Sequence, residues 1–210
     1  MNEQMINMYY TIMSYYNIFL RNSDMTNVKS IFLDTNFFNT LLECHNGSFD
    51  KVLMVYSDDI FVGNNKLIFD MVEYIIGVPI FVDKTNLFLA VLNNRNKTVT
   101  YLDSNDIMND DPDLMNKYTK IFEEFFSFLN EKKIAKKDLN GWNFDIDSIE
   151  AICYNERYAK HIMVYYSKMI CQNGKIKTIN ENEYQVIREI IFKELAMFFV
   201  KLGIFVKGNK

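Results

Sequence analysis

Between Phe88 and Ser104 the chain reads FLAVLNNRNKTVTYLDS. Apolar and polar residues alternate on both sides of the turn-forming NNRNK, the period-two pattern of two strands joined as a β-hairpin. Just upstream, MVEYIIGVPIFV is apolar and β-branched without helical period, which predicts a strand buried on both faces up to Pro79. VKSIFLD predicts a short extended segment and WNFDI a further strand. Elsewhere the period is helical. Met5, Ile6, Met8, Tyr9, Ile12, Met13 and Tyr16 fall on one stripe, so the chain opens with a helix. Asp34 and Thr35 are placed to cap a helix through Phe37, Phe38, Leu41 and Leu42, and Ser48 to cap a shorter one in FDKVLMVY. Asp111 and Pro112 suit the cap and first turn of a long helix whose buried side is Ile121, Phe122, Phe125, Phe126 and Leu129. Two helices, near Asn155 to Cys171 and Glu181 to Leu202, close the chain around the turn QNGK.

Helices, a small sheet and then helices again are segregated elements rather than repeating βαβ units, so the expected class is α+β. With 210 residues, 49% of them hydrophobic, and only 7 Gly and 2 Pro, the chain reads as one domain over residues 1–210 with a single closed core.

Charge narrows the partners. A net charge of -4 and a pI near 5.3 do not supply the basic face that phosphate contacts need, so nucleic acid is not expected. The basic cluster Lys132, Lys133, Lys136 and Lys137 reads as a solvated helix end. No apolar run approaches the roughly 20 residues of a membrane span, and the polar start MNEQMINMYY does not read as a secretory signal. Three scattered cysteines, Cys44, Cys153 and Cys171, suit a reducing compartment, so the expected location is intracellular, cytoplasmic or nuclear. With no C-x-x-C pair and only two histidines, neither a metal nor another cofactor is expected.

The order of these landmarks resembles that of the SUMO and ubiquitin-like-protein proteases, papain-like cysteine peptidases related to adenovirus protease. MNEQMINMY is similar to the family's opening, FFNTLL and FDKVLMVY to two successive motifs, and Val78 to Ile80, Asn86 to Leu92 and Thr98 to Ser104 to its V-P-I, H-W-x-L-A-V-I and x-Y-x-D-S run. Trp142 matches the tryptophan segment before the nucleophile, and YNERYAKHIMVY falls on the nucleophile motif. The resemblance implies a papain-like fold, a small central mixed or antiparallel sheet packed between N-terminal and C-terminal helices.

It also implies a degenerate site. In such proteases a histidine takes the thiol proton, a carboxylate orients the imidazole and a glutamine helps hold the oxyanion. By position the histidine becomes Asn86, the aspartate remains Asp103, the cysteine becomes Lys160 and the glutamine becomes Tyr154. A register one residue earlier sets Ala159 on the cysteine but buries His161 where an apolar side chain belongs; in either register the thiol is missing. Leu87 stands where the family has a tryptophan that clamps a Gly-Gly tail, and Leu87, Trp142 and His161 are the remaining candidates for partner contact. The expectation is therefore a pseudoprotease, a protein-binding or scaffold module, with Lys160 paired to Asp103 or Asn86 in place of the triad. The alternative is an active deSUMOylating or deubiquitinating peptidase with a displaced nucleophile, for which Cys153 is nearest in sequence. The expected partner is a protein, either a ubiquitin-like protein or a larger assembly, or further copies of the chain held through the apolar segment Gly203 to Val206.

Overall fold

A computed structural model describes residues 3–15, 29–62, 65–82, 87–103, 110–147, 156–173, 179 and 181–201. Helix α1 (Glu3–Tyr15) opens the chain and is followed by β1 (Lys29–Phe32), α2 (Phe37–Cys44), α3 (Asp50–Val55) and the single turn α4 (Ser57–Ile60). A two-residue hairpin, β2 (Phe61–Val62) and β3 (Lys66–Leu67), leads to the strands β4 (Tyr74–Phe81), β5 (Leu87–Asn93) and β6 (Thr98–Leu102). Then come α5 (Pro112–Glu131), β7 (Asn143–Asp147), α6 (Glu156–Asn173) and α7 (Tyr184–Lys201). The segment Gly203 to Val206 lies outside the described residues.

The main sheet runs in the order β1-β4-β5-β6-β7. It is mixed: β1 is parallel to β4 and β6 to β7, while β4 with β5 and β5 with β6 are antiparallel. The predicted hairpin is present, and its turn has a local cause. The Asn93 carboxamide oxygen accepts from the N–H groups of Arg95 and Asn96 at 3.0 and 3.3 Å, a side-chain mimic of a backbone turn. Lys97 then takes a left-handed φ of 52°. Its ammonium donates to the carbonyls of Asp138 and Asn140, each at 2.9 Å, and its own carbonyl accepts from the N–H of Asn143 at 2.9 Å. Those contacts tie the hairpin tip to the start of β7.

The sequence places the end of the buried strand at Pro79, but β4 continues two residues past it to Phe81. The Leu33 N–H reaches the Gly77 carbonyl at 2.9 Å, so Gly77 turns its polar groups toward β1. Two residues on, Pro79 presents its missing donor to the same side, where β1 has already ended at Phe32, and no ladder bond is lost. The α2 start also differs from expectation. Asn36 is the N-cap and makes no side-chain cap bond, while the Asp34 carboxylate, two residues before it, accepts from the Asn36 N–H at 2.9 Å and does not cap the helix. Ser48 does bind the first residue of α3, accepting from the Asp50 N–H at 3.2 Å. Asp111 caps α5 as expected, accepting from Leu114 N–H at 3.1 Å with Pro112 in the first turn.

The core is aromatic around α5. Phe125, fully buried, has ring centroids of Phe37, Phe49 and Phe69 at 6.1, 5.5 and 5.8 Å. Phe88 on β5 packs edge-on to Tyr101 and tilts against Tyr118 of α5. Helix α6 runs against β1 and β5 with α1 and α7 as neighbours. Its residues Ile162, Met163 and Val164 are all buried, as a helix at the centre of the molecule requires. The four lysines of the basic cluster are exposed after α5. There the Asp70 carboxylate accepts from the N–H groups of Lys136 and Lys137 at 2.8 and 3.0 Å.

Two predictions follow from this packing. A Cβ on Gly77 would lie 2.3 Å from Cδ1 of Phe32, whose ring stacks on Tyr10 at 5.2 Å and has no room to yield. Gly77→Ala is expected to cost about 1–3 kcal/mol in denaturant unfolding. The second concerns alkaline pH. Burial pushes the Tyr56 phenol up to about 12, opposed by its hydrogen bond with Thr40 and reinforced by Asp34, whose carboxylate accepts from the phenol at 3.1 Å. Because the folded state favours the neutral phenol, this contribution is intact below the unfolded value near 10 and is lost as pH rises from there through about 12. Tyr56→Phe should flatten that limb of the stability–pH curve.

Candidate functional site

Three elements converge at one end of the main sheet. Strand β5 begins at Leu87, paired with Phe81 at the end of β4. The register Leu89 with Leu102 sets the end of β6 beside the start of β5, so Asp103, the next residue, comes level with Phe88. Asp103 is fully buried, which separates it from an ordinary solvated turn carboxylate. Burying a charge is costly unless it is met by polar partners, and Asp103 is engaged in such contacts. From the other side comes the early part of α6, where Lys160 is half-buried and its ammonium lies 5.3 Å from the centroid of the Phe81 ring.

The structure thus places Leu87 and Asp103 at the end of the sheet where Lys160 meets Phe81. Leu87 is buried rather than presented to solvent. Among the ion pairs of the described side chains none joins Lys160 to Asp103; the lysine charge rests on an aromatic face instead. That contact was not legible in the sequence, because Phe81 and Lys160 are far apart along the chain and both types are common. Asn86, Tyr154 and Cys153 lie outside the described residues, as does the Cys171 side chain.

Two other candidates sit elsewhere. Trp142 precedes β7, whose parallel register matches Asn143 with Thr98 and Asp147 with Leu102. It therefore lies at the far end of β6 from Asp103, stacked on Phe126 at 4.9 Å. His161 is buried, 5% exposed, with its ring 6.1 Å from that of Phe192 on α7. His161 thus stands among the buried residues of α6, beside Ile162, Met163 and Val164.

The remaining described reactive groups are placed for packing. Burial pushes the Cys44 thiol up, with Lys51 opposing and Glu43 adding to the rise, which lowers its thiolate fraction and nucleophilicity. His45 Nδ1 meets the Glu124 carboxylate on α5 at 2.7 Å. Among the described residues no group of three His, Cys, Asp or Glu side chains is arranged to hold a metal ion, and no helix is long and apolar enough to cross a membrane. The sequence reading also missed a polar knot between three helices, in which Tyr9 of α1 and Lys168 of α6 both donate to the Glu194 carboxylate of α7.

Asp103, level with the start of β5, and Phe81, met by Lys160 of α6, thus stand at the same end of the sheet. The chain matches the Ulp1 protease family, C-terminal catalytic domain, over residues 1–157. It belongs to that family. The family match stops three residues before Lys160. In fold the chain is similar to the C-terminal Ulp1 protease domain solved in complex with Smt3, the yeast orthologue of SUMO. That likeness has a TM-score of 0.62 and 11% identity, and covers 91% of this chain and 74% of that one. It is also similar to a de-sumoylating protease, with a TM-score of 0.59 and 12% identity over 96% of this chain and 82% of that one. A third likeness, to the SUMO protease Ulp1 with its catalytic cysteine oxidised to a sulfinic acid, has a TM-score of 0.59 and 12% identity over 91% and 74%. No curated protein matches in sequence. The expected α+β, Ulp1-like fold is therefore present.

The Lys160 contact can be measured. A double-mutant cycle with Lys160→Met and Phe81→Leu should give a coupling of about 0.5–1 kcal/mol in unfolding experiments. A coupling indistinguishable from zero would remove the contact.

Proposed function

We propose that this chain is a non-catalytic member of the Ulp1 protease family that works by binding a protein. What supports this reading is the motif order of the sequence, which sets Lys160 on the family's thiol position; the Lys160 ammonium lies over Phe81, and Asp103 is buried. Acyl transfer needs a nucleophile with a lone pair and a base to take its proton. An ammonium offers no lone pair near neutral pH, and the carboxamide of Asn86, at the base position, does not take up a proton there. What persists of the triad is the orienting acid, retained as part of the buried framework. The partner we propose is a ubiquitin-like protein, because the related Ulp1 domain is held in complex with Smt3. An intracellular site of action belongs to the same reading and rests on the cysteine usage.

Incubation of the full chain with a ubiquitin-like protein carrying a C-terminal electrophile tests the loss of chemistry. The expected result is no adduct, with a measurable equilibrium complex by calorimetry; a covalent adduct on any cysteine overturns the reading in favour of a displaced nucleophile. Restoration is the complementary test. The double variant Asn86→His with Lys160→Cys should gain adduct formation, since it returns a thiol and an imidazole to a site that already holds Asp103. Gain only with Ala159→Cys in place of Lys160→Cys would move the nucleophile position by one residue.

A further inference from the structure

The sequence of α7, YQVIREIIFKELAMFFVK, carries large apolar residues on more than one side, interspersed with charges. Apolar residues on a helix are usually covered. One stripe is: Tyr184, Ile187, Ile191 and Leu195 are buried. The other side is not. Val186 and Met197 are 55% and 57% exposed, although both are large apolar residues. With the half-buried Ile190 and the exposed Lys193 they fall at spacings of four, three and four residues, which is a single face of a helix. Val186 and Ile190 also wall a groove whose floor is Tyr165 and Met169 of α6. The apolar surface thus extends from the helix onto its neighbour.

The charge pattern says what fits there. Glu189 and Lys193 flank the midpoint of this face, one turn apart, and both are exposed. Two copies of α7 laid antiparallel about a two-fold axis beside Ile191 and Phe192 set Val186 against Met197 of the second copy. The same operation brings Glu189 of each copy to Lys193 of the other. The face is therefore complementary to itself in sign, as an isologous interface requires. We infer that α7 is a self-association surface, through which two copies of this chain pair antiparallel. The pairing is independent of the reading of the catalytic site, since none of these residues belongs to it. One helix from each copy makes a contact at the small end of specific interfaces, so association is expected on the order of tens of micromolar.

Sedimentation equilibrium on the full chain reads this directly. The wild-type protein should pass from monomer to dimer across that range, and Val186→Glu should remove the dimer while circular dichroism stays unchanged. Charge reversal supplies the sharper arm. Glu189→Lys alone and Lys193→Glu alone each place like charges across the axis and should weaken pairing at least tenfold. An equimolar mixture of the two variants restores opposite charges at both contacts and should recover the wild-type dimer. A wild-type chain that stays monomeric at about 500 µM, on the order of ten times the expected range, overturns the inference. So does a dimer in which the mixture of variants fails to recover pairing, since that result places the contact on another surface, such as residues 203–206.

Discussion

Everything at the candidate site depends on the register of β5 against β6. A slip of one residue in an antiparallel pair sends every side chain to the opposite face, and here it would carry Asp103 away from the start of β5. The register is fixed at both ends. At the turn, the Asn93 carboxamide and the left-handed Lys97 hold the chain reversal, and Lys97 further binds the approach to β7. Along the strands, Leu87, Phe88, Leu89, Ala90 and Leu92 of β5 are buried, as are Val99, Tyr101 and Leu102 of β6, so β5 packs on both faces and the pairing is held by the fit of particular side chains. The Phe88 and Tyr101 rings lock together edge-on at 5.9 Å.

A buried carboxylate is expensive to keep unless it has a role or a settled set of partners. In a working cysteine peptidase the role is to orient an imidazole. Here Asp103 is delivered to the end of β6 fully buried and engaged in contacts of its own. The Lys160 charge has been taken up by an aromatic face at the end of β4, a contact that tolerates partial exposure and needs no carboxylate. Neutralising the lysine does not therefore require Asp103, and the two groups can be retained for separate structural reasons.

The helices show how evenly stability is spread. Helix α6 is buried by the sheet, α1 and α7, and the last of these is docked through the Glu194 carboxylate as well as through its apolar stripe. Because Glu194 is held by both α1 and α6, its face of α7 is committed to the core. That commitment leaves Val186 and Met197 on the far side, 55% and 57% exposed.

Much of this was legible in the sequence because it is local. Period-two alternation gave the hairpin, the 3.6-residue stripe gave α5 and its five buried residues, and Asp111 with Pro112 marked the start of that helix. Landmark order pointed to the family and to Asp103. Other features belong to tertiary structure alone. That β4 survives Pro79 depends on where β1 stops, and that Trp142 leaves the site depends on the parallel pairing of β7 with β6. The depth at which His161 is buried depends on where α7 docks. Local pattern reports which face of an element is apolar, since that is set by the chain's own geometry; which neighbour covers the face, and which distant charge or ring meets a given side chain, is decided only when the elements pack.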